Sequence, residues 1–83
     1  MKYTLVAVKD NAIQAYQPIM QVRAKGEALR SFADAVNDPN NKQLHQHPED
    51  FDLYYLGDYD DQTGQLHQVG PEILLRGKDA KRI

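Results

Sequence analysis

Residues 25–37 are the stretch of this sequence that most clearly repeats its apolar residues at helical spacing, which points to a fold in which one amphipathic helix covers a sheet. Ala28, Leu29, Phe32, Ala33 and Val36 fall on one helical face, while Lys25, Glu27, Arg30, Ser31 and Asp34 take the other. Asn37-Asp38-Pro39 stops the run, because a residue before proline is pushed out of the α region. Burying Leu29, Phe32 and Val36 contributes about 1.5–3 kcal/mol each, enough to make this helix the lid of the sheet.

The remaining apolar residues come in short runs with β character. Residues 2–8 combine β-branched and aromatic residues, and both faces of the run are mostly apolar, as in a central strand. Lys9-Asp10-Asn11 carries turn chemistry. Residues 12–22 read as an extended or edge segment broken at Pro18, since proline removes a ladder donor. The polar, nonperiodic stretch 40–48 reads as a mobile loop, and Pro48-Glu49-Asp50-Phe51 as one helical turn. Residues 52–59 and 65–69 form a hairpin around the Asp60–Gly64 turn. Gly70-Pro71 breaks the chain, residues 72–76 fit either a closing strand or a helical turn, and residues 78–83 read as a basic tail that frays. The expected class is α+β: a small, mainly antiparallel sheet packed on one amphipathic helix, with a C-terminal hairpin. One domain spans residues 1–77 and the tail spans residues 78–83.

Composition narrows what such a domain does. A chain of 83 residues buries only about 60% of its unfolded surface, which disfavours a large enclosed catalytic cleft. It contains no cysteine, so disulfides, zinc knuckles, iron–sulfur clusters and thiol nucleophiles are all excluded within it. No apolar run approaches the ~18–20 residues needed to cross a bilayer, and the apolar part of the N-terminus is too short for a signal peptide, so a soluble intracellular protein without membrane contact is expected. A formal net charge of −2 argues against coating nucleic acid by bulk charge.

Motifs for chemistry are weak. His45 and His47 with His67, Glu49 and Asp50 offer metal-ligand types, but on a floppy loop without defined geometry; no metal is expected. Asp58–Gly64 starts like an oxygen-rich calcium loop and then departs from it at the third ligand, the glycine and the closing glutamate. Glycine-rich phosphate loops and nucleophile elbows are absent, so neither an enzyme nor a cofactor is expected.

Charge is the informative feature. Residues 49–61 hold six acids, Glu49, Asp50, Asp52, Asp58, Asp60 and Asp61, without a Lys or Arg, whereas residues 76–83 hold Arg76, Lys78, Lys81 and Arg82 against Asp79. The basic residues, together with Lys2 and Lys9, are the candidate phosphate contacts, and the six acids a candidate interface for a basic protein partner. Tyr3, Tyr54, Tyr55 and Tyr59 supply rings of the kind that stack on bases, although they lie in or near the acidic stretch, where phosphates are repelled.

The order of local features is also familiar. The opening MKYTLVAVKD, the Ala15-Tyr16-Gln17-Pro18 step, the helix containing FADAVN, the segment HPEDFDLY, the turn LGDYDDQTG and the final LLRG resemble, over nearly the whole chain, the small nonstructural protein of single-stranded DNA microviruses of the gokushovirus branch. That resemblance implies a non-capsid bacteriophage protein of the host bacterial cytoplasm, with a role in viral DNA replication or packaging and a DNA-binding label; it carries over no catalytic residues. The acidic balance departs from what a charge-neutralising packaging peptide shows. Two readings follow: an accessory factor in weak contact with single-stranded DNA, or an interaction module that engages a viral or host replication protein. A domain this small also gains burial by forming a homodimer.

Overall fold

In the computed structural model, which describes residues 1–82, the chain runs β1 (Lys2–Asp10), β2 (Ala15–Tyr16), β3 (Met20–Val22), α1 (Lys25–Val36), α2 (Lys42–Gln46), a 3-10 turn (Pro48–Asp50), β4 (Phe51–Asp60), β5 (Gln65–Arg76) and α3 (Gly77–Ala80). All strand pairs are antiparallel. β1 is central, with β4 and then β5 on one side and the short β2 and β3 on the other. This is the α+β class expected, with the helical stretch and the hairpin where the periodicity puts them.

One face of the sheet carries the core. Val6 and Val8 of β1 and Phe51 and Leu53 of β4 pack under Ala28, Phe32 and Val36 of α1, with Leu44 and Ala80 closing the side. Leu53, Val6 and Val36 are fully buried. Helix α1 ends where its C-cap Asn37 turns the chain, and the Asn37 backbone N–H bonds back to Ala33 O.

Four local expectations change. The first turn falls at residues 11–14, one strand end later, because Lys9 and Asp10 find partners in Asp52 and Phe51 and stay in the ladder. Asp10 still does turn work there: its Oδ1 accepts the Ala12 N–H at 3.0 Å. Within the stretch read as a loop lies the five-residue α2, held by the buried Leu44; one apolar residue leaves no period to detect. Gly70-Pro71 does not end the hairpin, since β5 continues to Arg76, and residues 72–76 are strand. Between the Tyr55↔Glu72 and Gly57↔Gln68 pairs, Leu56 faces Val69, Gly70 and Pro71, so an irregular bulge on the outer strand accommodates the proline.

The basic tail is folded through Arg82. Gly77 sits so close to the carbonyls of Pro48 and Phe51 that a Cβ would overlap them, and Ala80 is buried. The Asn37 side chain clamps the segment: Nδ2 donates to Ala33 O at 2.7 Å and Ala80 O at 2.8 Å, while Oδ1 accepts the Arg82 N–H at 2.6 Å. Charge alone suggests fraying; small residues that fit under the helix, and a bidentate cap from outside the segment, decide otherwise. Ile83, the last residue of the expected tail, lies outside the described residues.

Candidate nucleic-acid interface

Directly paired residues of a ladder project to the same face. The core face therefore also carries Thr4, Tyr55 and Asp58, with Lys2 opposite Asp60. The other face carries Tyr3 opposite Tyr59, Ala7 opposite Tyr54, and Lys9 opposite both Tyr16 and Asp52. Tyr54 and Tyr59 are five positions apart and on a regular strand would face opposite ways; the irregularity at Leu56, opposite the Leu5/Val6 step, brings them to one side. The same shift sends Asp58 and Asp60 to the side away from those rings.

The open face thus gathers Tyr3, Tyr16, Tyr54 and Tyr59. Tyr16 is 44% exposed, and its ring meets that of Tyr54 edge-on at 5.5 Å between centroids. The Lys9 ammonium lies 5.6 Å from the Tyr16 centroid. Arg76 is paired with Asp52 across the β4–β5 ladder, and its guanidinium lies 3.7 Å from the Asp52 carboxylate. The face has a hollow of ≈ 300 Å³ walled in part by Leu5, Leu56, Asp58, Leu66 and Val69.

The expected phosphate contacts do not all come together. Lys9, Arg76, Lys78, Lys81 and Arg82 lie at the end of the sheet where α3 docks, whereas Lys2 is about 23 Å away along β1. Lys81 donates to His45 O at 3.0 Å, and Arg82 lies 3.5 Å from Asp34. The acids do not form one surface either. Glu49 and Asp50 sit at one end of β4 and Asp58, Asp60 and Asp61 at the other, about 30 Å apart by strand rise. Asp61 is paired with the N-terminal ammonium at 2.8 Å. Asp52 is buried, accepting from Asn11 Nδ2 at 2.9 Å, and belongs to the fold's interior rather than to an interface.

The histidines separate as well. His45 Nδ1 lies 3.1 Å from Val36 O and 3.0 Å from Lys81 Nζ, and His67 is on β5. Among the described residues, His47, Glu49 and Asp50 form a cluster of potential ligands in which His47 and Glu49 are exposed. Exposed side chains without second-shell partners do not define a metal centre.

Sequence reasoning misjudged Tyr55 and overlooked Tyr16. Tyr55 is buried on the core face, with the Lys25 ammonium 4.2 Å from its ring centroid and its hydroxyl donating to Asp58 Oδ2 at 3.0 Å. Burial first, then the bond to Asp58 and the charges of Asp58 and Glu72, hold its phenol above the usual tyrosine range. Above about pH 10 the unfolded chain releases this proton while the folded one keeps it, so stability falls from there to the folded pKa. In a phenolate absorbance titration, the Tyr55 phenol is expected to ionise above the usual tyrosine range, and Tyr55→Phe to flatten the alkaline fall in stability. A Tyr55 phenol that ionises within the usual tyrosine range in the folded protein would contradict this. Tyr16 gives no signal in the sequence, because its ring joins the platform through two residues of pairing with β1.

These features define a small antiparallel α+β domain whose distinctive surface is a tyrosine-bearing sheet face. Among the described residues, no helix is long and apolar enough to cross a membrane. A family model described as Phage ORF5 protein matches residues 3–80. Protein ORF5 of Chlamydia phage 1 is 41% identical over 71 residues, spanning 82% of this chain and 74% of that relative. No solved structure matches significantly. The chain belongs to the phage ORF5 protein family, in agreement with its resemblance to the small nonstructural proteins of microviruses.

Proposed function

We propose that this phage protein is a nonenzymatic accessory of single-stranded DNA genome replication or packaging that makes a weak, sequence-independent contact with the single strand. The observation that carries the reading is the gathering of Lys9, Arg76, Lys78, Lys81 and Arg82 at one end of the sheet. Apart from Arg76, which is paired with the buried Asp52, their charge is largely available. Lys81 bonds to a neutral carbonyl, the Arg82–Asp34 pair is exposed on both sides, and an exposed pair holds its partners weakly. A strand's phosphates can therefore displace Asp34 at little cost. The acidic surface needed for a basic protein partner is divided between the two ends of β4, so the DNA reading is the better supported one.

Fluorescence anisotropy with a labelled oligothymidylate at rising salt tests it. Binding is expected at low salt, with affinity falling linearly on logarithmic axes. Replacing Lys78 and Arg82 together with Gln removes two phosphate contacts and is expected to lower the slope by about 1.4. Absence of binding at low salt, or a slope untouched by the double variant, would refute this contact.

A further inference from the structure

The aromatic face and the basic end adjoin, and together they match one chemistry. We propose that the open sheet face is a stacking platform for the bases of single-stranded DNA; this rests on the DNA contact proposed above and gives it a site. The rings fall into two stations. Tyr3 and Tyr59 stand opposite each other near the hairpin tip, and Tyr54 with Tyr16 lies about 13 Å further along β1, beside Lys9. Between them lies the hollow of ≈ 300 Å³, bordered by Leu5 and by the Gln68 side-chain amide of the ladder row Leu5–Gly57–Gln68. Ring, hollow and ring offer apolar seats for successive bases, which stack on aromatic side chains regardless of sequence. Gln68 offers both donors and acceptors to base edges.

Charge favours this occupant. Lys9 and Arg76 project from paired positions on this face, and among the described residues the acid at a paired position here is Asp52, which is buried. Asp60, which in the linear sequence adjoins Tyr59 and repels phosphate, is paired on the opposite face, and Asp58, paired there too, borders the hollow. A backbone entering at the Lys9–Arg76 end meets cations there and lays its bases toward the tip.

Ring-proton nuclear magnetic resonance and anisotropy on the full chain test the platform. On adding oligothymidylate to the unaltered protein, the rings of Tyr3, Tyr16, Tyr54 and Tyr59 are expected to shift while that of Tyr55, on the covered face, stays. Tyr16→Leu with Tyr54→Leu is expected to weaken binding at least about tenfold, with the salt slope unchanged because no charge is removed. The matching pair of Phe substitutions is expected to bind like the unaltered protein, and a duplex to leave the rings unshifted. Oligothymidylate binding without ring shifts, or undiminished in the Leu variant, would overturn the platform and leave the proposed function standing. Failure of the unaltered protein to bind the strand would remove both. A concentration-dependent rise in mass without DNA, abolished by the Leu pair, would assign the face to a second copy of the chain and overturn the proposal.

Discussion

Gly57→Ala is expected to lose about 3 kcal/mol or more of folding stability, a large part of the 5–15 kcal/mol available to a domain. Two independent penalties act there. The residue sits at φ +142°, a region that L side chains rarely adopt and that costs about 1–3 kcal/mol. An added Cβ would also overlap the carbonyl oxygen of His67 on β5, and a backbone atom in a ladder cannot step aside as a side-chain tip can. Relieving the overlap means parting β4 from β5 at the bulge, where pairing is already irregular. Urea unfolding monitored by circular dichroism measures the loss; by the usual scaling, a change of this size lowers Tm by about 12 °C or more. A variant as stable as the unaltered protein would show that the hairpin shifts freely at this point. Gly64→Ala provides the comparison: that turn glycine also has positive φ, at +74°, but a Cβ there meets nothing within 4 Å. A smaller loss is expected there, so the difference between the two variants isolates the overlap.

Phe32→Ala is expected to cost about 3–5 kcal/mol, the range for removing a buried aromatic side chain. Phe32 is 4% exposed and packs within the cluster that joins α1 to the sheet. Most helical stability in a protein comes from such tertiary packing rather than from intrinsic propensity, so a twelve-residue helix deprived of its central anchor loses its main attachment. Leu29→Ala on the same helix is expected to cost less, because Leu29 is only partly buried. Chemical denaturation of the two variants side by side checks the order. Equal losses would mean that the sheet holds α1 through its rim rather than through Phe32.

The two substitutions mark a boundary between what pattern reveals and what pairing decides. Phe32 was legible because helical periodicity depends on neighbours three and four residues away. Gly57 was not, because its role depends on an atom of His67 ten positions further along the chain. The hairpin was legible from two apolar runs around Asp60–Gly64; its continuation past Pro71 was not, because the proline is accommodated by a bulge whose other half is Leu56. The fold of residues 77–82 was missed for a similar reason. Their sequence is charged and short, and the groups that hold them, Asn37 and the carbonyls of Pro48 and Phe51, are distant in the chain.

The candidate interface divides in the same way. Counting charges located the basic residues and the acidic stretch, and composition located the tyrosines, but the apparent conflict between rings and acids in residues 49–61 dissolves only in three dimensions. By itself the sequence determined the class of the fold, the helix, the central strand, the hairpin and the lack of cysteine chemistry, since each follows from local period or residue type. The tertiary structure alone decided which side chains share a face. Side-chain direction along a strand alternates with period two, and one irregularity in register reverses every assignment beyond it; here the shift at Leu56 sets Tyr54 and Tyr59 together and turns Asp58 and Asp60 away.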